Sequence, residues 1–223
     1  MSPHHEPFIR RGIGLLGGTF DPVHNGHLSL AREALSQLHL ARVDFVPAAN
    51  PWQKTGVSAA EKRLSLLQAA LEGEPLMQIN PIELLRSGPT YTIDTLKALR
   101  DEIGPSVPLI LILGADQWNN LHTWKDWSEF TSYCHLAVAN RDATTPSACD
   151  EVNRHTASLS VDPWRLTETA YGRCTFFTIP AHAASSTKIR ETFLAHPRYQ
   201  ALKRLEHWLP MRVAHAIARY HLY

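Results

Sequence analysis

Hydrophobic residues along the chain form short continuous runs that are separated by longer periodic stretches. Short apolar runs predict buried strands, here at Ile13–Leu16, 42–47, 77–82, 107–113, 136–139 and 175–179. In the stretches between them, apolar residues recur every three or four positions, which is typical of one face of a helix. Strands that alternate with helices predict a parallel sheet with helices on both faces. We therefore expect an α/β fold, a Rossmann-like doubly wound sheet.

The periodic stretches predict where the helices lie. They indicate helices over 28–38, 59–72 and 92–103, a short aromatic-rich helical region over 118–130, and further helices from Ser186 and from Pro210. In the helix over 59–72, the spacing predicts a buried face of Ala60, Leu64, Leu67 and Leu71. In the last helix, Val213, Ile217 and Tyr220 are predicted to face inwards.

The length of the chain, 223 residues, suits a single domain, and 44% hydrophobic residues are enough for a substantial core. We expect residues 1–9 to be a flexible lead and residues 10–223 to form one domain. Within it, the polar stretch 142–172 predicts a helix plus a variable surface excursion, and 186–223 predict a small C-terminal helical part.

Charge and cysteine content exclude several classes of function. The net charge is +1 with neutral histidines, so no strong overall field attracts nucleic acid or an anionic membrane. No apolar run approaches the length of a membrane span. Three cysteines without C-x-x-C pairing predict reduced thiols, and therefore a cytoplasmic protein rather than a disulfide framework or a zinc site.

The stretch GLLGGTFDPVHNGH, Gly14 to His27, predicts a strand, a glycine turn and the start of a helix. Gly17 and Gly18 let the backbone approach a ligand closely because they carry no Cβ. The free N–H groups and the dipole of the following helix attract phosphate. His24 and His27 are three residues apart on its first turn, hence on one side. This arrangement favours the binding of a polyphosphate.

A second candidate phosphate site is the stretch SSTKIR, residues 185–190. Its hydroxyl groups are typical of a helix N-terminus, and Arg190 stands one turn further, where it could bind phosphate oxygens with two donors. Alone, this would be an ordinary helix cap followed by a surface arginine. Because the carboxyl ends of parallel strands meet at one edge, we expect it to lie beside the first turn, the 50–54 loop and Gly114–Asp116, and to act as a second phosphate clamp.

The motif His24-x-Gly26-His27 resembles the (T/H)-x-G-H signature of the nucleotidyltransferase superfamily. A more specific resemblance, to bacterial nicotinate-nucleotide adenylyltransferases, is carried in order by GGTFDPVHNGH, VPAANPWQK, GPTYTIDTL, ILGADQW followed by HTW, and SSTKIR. It covers the chain from about Gly12 to the last helix. Two departures are the loop Pro51-Trp52-Gln53-Lys54, often P-P-H-K in the family, and Ala184, where a larger aliphatic residue is common.

This resemblance implies transfer of AMP from ATP to nicotinate mononucleotide, which gives nicotinate adenine dinucleotide and pyrophosphate. Mg²⁺ would be bound with ATP, and no protein side chain is expected to hold a metal. The implied catalytic residues are His24, His27 and Arg190. The implied ATP-binding residues are Gly17, Gly18, Thr19, Phe20, His24, His27, Gly114, Asp116, Arg141, Ser186, Thr187 and Arg190, and the implied acceptor-binding residues are Lys54, Tyr91, Thr92, Trp124 and Lys125.

Other functions of the same fold remain open at this point. One is an adenylyltransferase that acts on nicotinamide mononucleotide or phosphopantetheine, since the choice between acid and amide depends on backbone geometry. A nucleotide-sensing regulator that does not turn ATP over is disfavoured by the intact His24, His27, Thr187 and Arg190. An RNA-binding role is disfavoured by the lack of a basic stripe. The oligomeric state, including a homo-oligomer, is left open.

Overall fold

A computed structural model describes residues 11–49, 57–140 and 148–223. Its sheet has six parallel strands in the order β3-β2-β1-β4-β5-β6, which confirms the Rossmann-like α/β fold. The strands are β1 (Ile13–Gly18), β2 (Arg42–Pro47), β3 (Met77–Ile79), β4 (Leu109–Gly114), β5 (His135–Asn140) and β6 (Cys174–Thr178). The register pairs Gly18 with Pro47 and Gly114 with Ala139, so the carboxyl ends of four central strands lie side by side.

The helices of the described residues follow the predicted order. They are α1 (Asn25–Gln37), α2 (Ala60–Leu71), α3 (Thr92–Ile103), α4 (Ala115–Asn119), α5 (Asp150–Thr156), α6 (Ser186–Ala195), α7 (Arg198–Arg204) and α8 (Met211–Tyr220). Short 3-10 helices occupy Leu121–Thr123, Trp127–Ser132, Ala157–Leu159 and Pro163–Glu168. The separate helix α7 was not expected from the sequence.

The sheet separates two hydrophobic clusters, because alternate residues of a strand point to opposite faces. In β4, Ile110 and Ile112 belong to the cluster that includes residues of α1, α2, α6 and α8. Leu109, Leu111 and Leu113 belong to the other cluster, with residues of α3 and the aromatic region. A strand that buries both sets reads as a continuous apolar run, which is why β4 was the most hydrophobic stretch of the sequence.

Two predicted helix faces were wrong in detail. In α2 the buried residues are Arg63, Leu66, Leu67, Ala70 and Leu71, whereas Ala60 and Leu64 are only half-buried. In α8, Val213 and Ile217 are buried as predicted, but Tyr220 is 59% exposed. The chain turns back at His221, where φ is +53°, and Leu222 and Tyr223 pack against the core instead.

Buried His135 in β5 is a histidine that the sequence did not single out. Its Nε2 bonds to the carbonyl oxygen of Thr169 at 2.9 Å, and its Nδ1 accepts the N–H of Arg173 at 3.0 Å. Both ring nitrogens are satisfied only when the ring is neutral, with its proton on Nε2, because a proton on Nδ1 would face the Arg173 N–H. Burial lowers the pKa of His135 to about 4, and the charges of Arg173 and Arg100 act in the same direction.

We expect His135 to make the protein less stable as the pH falls from about 6.5 towards 4. In this range the unfolded chain takes up a proton at this histidine and the folded protein does not, which lowers the free energy of unfolding by up to about 1.4 kcal/mol per pH unit. Denaturant unfolding at several pH values should show the stability gap between wild type and His135→Gln narrowing over this range. The exposed His215→Gln is the control, and a gap that stays constant with pH would contradict the prediction.

Candidate active site

A cleft of about 1190 Å³ opens at the carboxyl edge of the sheet. It is lined by the β1–α1 turn, the β4–α4 junction, the start of α3 and the β6–α6 junction. Of the predicted site residues, those that line it are Gly17, Gly18, Thr19, Phe20, His24, His27, Tyr91, Thr92, Gly114, Asp116, Trp124, Lys125, Ser186, Thr187 and Arg190. Lys54 and Arg141 lie outside the described residues. The two predicted phosphate clamps therefore face the same cavity.

The two histidines of the first turn form a stacked pair. Their ring centroids are 3.8 Å apart, and Nδ1 of His27 accepts the main-chain N–H of His24 at 3.2 Å. In a neutral ring this acceptor role leaves the proton of His27 on Nε2, where it can be donated to a ligand. A Cβ at Gly26 would lie 3.0 Å from Nδ1 of His24, so the glycine of the motif leaves room for this ring.

Phe20 packs against one member of the histidine pair, His27. Its side chain is 2% exposed and its ring meets His27 edge-to-face at 5.1 Å and Phe45 of β2 at 5.4 Å. The backbone of Phe20 has φ of +50°, in the left-handed region. The aromatic side chain is thus part of the core, and the contribution of Phe20 to a ligand would come from its main chain.

Asp21 is a buried carboxylate in the turn between β1 and α1, three residues after Gly18. Its Oδ2 accepts the N–H of Ser58 at 3.0 Å, and its Oδ1 accepts the hydroxyl of Tyr223. Burial acts to raise the pKa of Asp21, but these hydrogen bonds and the nearby charge of Arg190 outweigh it, so the pKa lies below its usual value. Asp21 is therefore ionised at neutral pH and joins three separate parts of the chain.

Arg63 of α2 is a buried cation that helix periodicity did not identify. Its side chain is 1% exposed and donates to four main-chain carbonyl groups, those of Thr19, Ala48, Ala49 and Ser58, at 2.7–3.2 Å. Burial lowers the pKa of the guanidinium, and the Asp21 carboxylate partly offsets this. An arginine stays charged under such conditions. Arg63 thus fixes the first turn to the carboxyl end of β2.

The second clamp begins at Ser185, the N-cap of α6, whose hydroxyl accepts the N–H of Lys188 at 3.5 Å. Two side chains of this clamp bond to the turn between β1 and α1. Ser186 Oγ donates to the carbonyl of Pro22 at 2.9 Å, and Arg190 Nη1 donates to the carbonyl of Asp21 at 2.7 Å. Thr187 is exposed on the first turn of α6. The two clamps are therefore directly hydrogen-bonded to each other.

The wall across the cleft is formed by Tyr91, Thr92, Trp124 and Lys125. The Lys125 ammonium lies 4.5 Å from the centroid of the Tyr91 ring, a cation–π contact. Trp124 is half-buried and meets Phe130 edge-to-face at 6.2 Å. Trp118 and Trp127 are buried in the core, whereas Trp124 packs against the same cluster and also lines the cleft.

Glu83 also lines this end of the cleft, although sequence reasoning passed over it. Its Oε1 accepts the hydroxyl of Thr95 at 3.1 Å, and Thr95 also accepts from Arg86 at 3.0 Å. Burial raises the pKa of Glu83, while the hydrogen bonds and the charge of Arg86 act against the rise. Glu83 is thus bound to the first turn of α3, the helix that begins at Thr92 of the cleft wall.

Within the described residues, no group of three or more His, Cys, Asp or Glu side chains is arranged to hold a metal ion. Both oxygens of Asp21, the buried carboxylate nearest the phosphate clamps, already accept hydrogen bonds.

Comparison with known proteins gives the family. The chain matches the family model described as cytidylyltransferase-like over residues 15–192. It is 34% identical over 220 residues to a probable nicotinate-nucleotide adenylyltransferase of Herminiimonas arsenicoxydans, covering 96% of this chain and 98% of that protein. A protein of the same name from Bordetella pertussis is 39% identical over 212 residues, covering 95% and 97%.

The chain belongs to the cytidylyltransferase-like family, among the nicotinate-nucleotide adenylyltransferases. Among solved structures it is similar to the Plasmodium falciparum nicotinic acid mononucleotide adenylyltransferase complexed with NaAD, with a TM-score of 0.73 over 96% of this chain and 97% of that one. The sequences are 15% identical, so this likeness concerns the fold. The family resemblance expected from the sequence is confirmed.

A methyl group at Gly17 tests whether the glycine turn contacts a ligand. It would have no atom of the described residues within 4 Å, so we expect Gly17→Ala to fold as stably as wild type. The methyl would occupy cleft space that a phosphate needs, and we expect the dissociation constant of ATP to rise roughly tenfold, equivalent to about 1.4 kcal/mol. Calorimetric titration with ATP measures this, with thermal unfolding as the control. An ATP affinity equal to that of wild type would show that ATP does not contact the turn at Gly17.

Proposed function

We propose that this protein transfers AMP from ATP to nicotinate mononucleotide, with nicotinate adenine dinucleotide and pyrophosphate as products, a step of NAD biosynthesis. The observation that carries the proposal is the direct coupling of the two phosphate clamps, through Ser186 to Pro22 and Arg190 to Asp21, at one cleft. A clamp built from two such turns suits a triphosphate, which needs donors at both of its ends. The relatives named above carry the same activity in their names.

The reaction needs alignment more than acid–base chemistry. The phosphate of the mononucleotide is an anion at neutral pH and can attack the α-phosphorus of ATP in line, with pyrophosphate leaving on the opposite side. The protein has to hold both reactants in this line and to stabilise the charge on the phosphate oxygens. Main-chain N–H groups of Thr19 and Phe20 and the rings of His24 and His27 are the donors proposed for the reacting phosphates.

The leaving pyrophosphate is assigned to α6. Thr187 stands exposed on the first turn of that helix, where free N–H groups also point outwards, and Arg190 follows one turn later. One guanidinium nitrogen of Arg190 donates to the Asp21 carbonyl, and the remaining donors of the group are proposed for the β and γ phosphates. Mg²⁺, bound to the phosphate oxygens of ATP, would neutralise part of the charge that builds up during transfer.

The adenosine part is assigned to the β4–α4 junction. A Cβ at Gly114 would have only the amide oxygen of Gln117 near it, at 3.7 Å, so the protein itself does not require glycine there. A flat ligand such as adenine would use that space, and the exposed Asp116 beside it would accept from ribose hydroxyls. A stacking role for Arg141 and a phosphate-binding role for Lys54 stay predictions from the sequence.

The acceptor is assigned to the opposite wall. Trp124, which is half-buried and lines the cleft, would stack on the pyridine ring, and main-chain N–H groups near Thr92 and Lys125 would bind the carboxylate. The ammonium of Lys125, held over the Tyr91 ring, adds positive charge at the same place. A neutral amide would gain less from such a site, which favours the acid form of the mononucleotide.

No helix in the described ranges is both long enough and apolar enough to cross a membrane. We propose a cytoplasmic location on the grounds of the three cysteines, none of which forms a disulfide, and we propose no nucleic-acid partner on the grounds of the near-neutral net charge.

Pyrophosphate release from Mg·ATP tests the substrate. With nicotinate mononucleotide, nicotinamide mononucleotide and phosphopantetheine as acceptors, we expect kcat/KM to be highest for the first, by at least about tenfold over the amide, because a site built for a carboxylate loses a charged contact with an amide. A preference for the amide or for phosphopantetheine would replace the proposed acceptor. Release of phosphate without acceptor transfer would argue for an ATPase.

His24→Ala tests the role of the histidine pair. We expect kcat to fall by about 10²–10³-fold, the usual effect of removing a donor to a developing charge. His182→Ala is the matched control, since His182 also lines the cleft but has no assigned role, and it should retain most of the activity. Circular dichroism and thermal unfolding establish that both variants fold. Full activity of a folded His24→Ala variant would overturn the mechanism.

A further inference from the structure

Tyr223, the last residue of the sequence, bonds to the buried carboxylate behind the first turn. Its hydroxyl donates to Oδ1 of Asp21, while Oδ2 of Asp21 accepts the N–H of Ser58 at 3.0 Å. The ring of Tyr223 stacks on Phe193 of α6 with centroids 5.9 Å apart, and the Lys62 ammonium lies 5.3 Å from its centroid. Both oxygens of a carboxylate that is only 2% exposed are therefore engaged, one of them by Tyr223.

Arg190 is a cation that interacts with Asp21 in two ways. Its guanidinium bonds to Asp21, yet the bond goes to the main-chain carbonyl, at 2.7 Å, and not to the carboxylate. The two side chains nevertheless attract each other electrostatically. The Asp21 carboxylate thus has a second possible partner within electrostatic reach.

We propose that Tyr223 is a positioning residue for ATP: by holding the Asp21 carboxylate, its hydroxyl keeps the Arg190 guanidinium available to the phosphates. This inference rests on the proposed function insofar as Arg190 binds the triphosphate. It assigns a role in the active site to a residue that is far from every motif in the sequence.

The physical reason lies in what a buried carboxylate does when it loses a donor. Without the Tyr223 hydroxyl, the Asp21 carboxylate keeps its hydrogen bonds from Ser58 alone. A buried ionised carboxylate that loses a donor is drawn more strongly towards a nearby cation. Arg63 is already committed to four carbonyl groups. Among the described residues, the hydrogen bond of Arg190 to the Asp21 carbonyl uses one guanidinium nitrogen and leaves other donors. An ion pair between Asp21 and Arg190 would therefore form and would compete with the triphosphate for the same guanidinium.

Tyr223→Phe removes the hydroxyl and keeps the ring that stacks on Phe193. Titration of the whole protein with Mg·ATP, without acceptor, should show a dissociation constant about tenfold higher than for wild type, a usual effect of losing one charge-assisted contact. In steady-state assays with nicotinate mononucleotide, the same change should appear in the KM for ATP, with kcat within about twofold of wild type. The exposed Tyr220→Phe is the matched control and should leave both values unchanged.

A double-mutant cycle with Asp21→Asn tests the route. Without the negative charge at residue 21 no ion pair can capture Arg190, so Tyr223→Phe should change ATP affinity less than twofold in that background. If Asp21→Asn does not fold, Arg190→Gln serves as the second background, with the same expectation. An affinity in Tyr223→Phe equal to wild type, or an equal loss in the Asp21→Asn background, would overturn the inference. Because the titration uses ATP alone, its result does not depend on whether nicotinate mononucleotide is the acceptor.

Discussion

Two separate turns of main chain can bind one polyphosphate only if the distance between them is fixed. Here the fixing is done by hydrogen bonds that cross between the turns, from Ser186 to Pro22 and from Arg190 to Asp21. Main-chain donors pointing at a ligand gain most when they do not have to reorganise on binding. The rest of the site depends on this constraint, because His24 and His27 stand on the helix that begins directly after the same turn.

Buried charge supports the constraint from behind. Arg63 binds carbonyl groups directly after the ends of β1 and β2, and Asp21 binds Ser58, before the start of α2, and Tyr223. In a trans peptide the C=O and the N–H point in opposite directions. Because the Thr19 carbonyl bonds to Arg63, the N–H of the same peptide, which belongs to Phe20, points away from Arg63. The buried Asp21 carboxylate also offsets part of the cost of burying the Arg63 guanidinium away from water.

The two walls of the cleft differ in how they are built. The phosphate side consists of glycines, helix N-termini and cations tied by hydrogen bonds, whereas the opposite side consists of aromatic rings and one lysine held over a ring. These are the two kinds of surface that the proposed binding of a polyphosphate and of a pyridine ring would use. The β4–α4 junction, which carries Gly114 and Asp116, lies between them at the centre of the sheet.

The sequence by itself determined the strands, the order of helices and both phosphate motifs, because these depend on local patterns: apolar runs, helical periodicity, and glycines or hydroxyls at a strand end. Only the tertiary structure decided the rest. Arg63 was not among the residues that periodicity placed on the buried face of α2, and it is buried because four main-chain carbonyls from outside the helix satisfy it. Tyr220 was predicted to face inwards, but it is exposed, because the chain turns back at His221 and Tyr223 packs against the core instead. The bond from Tyr223 to Asp21 joins residues 202 positions apart, and no local pattern in a single sequence reports a contact of that range.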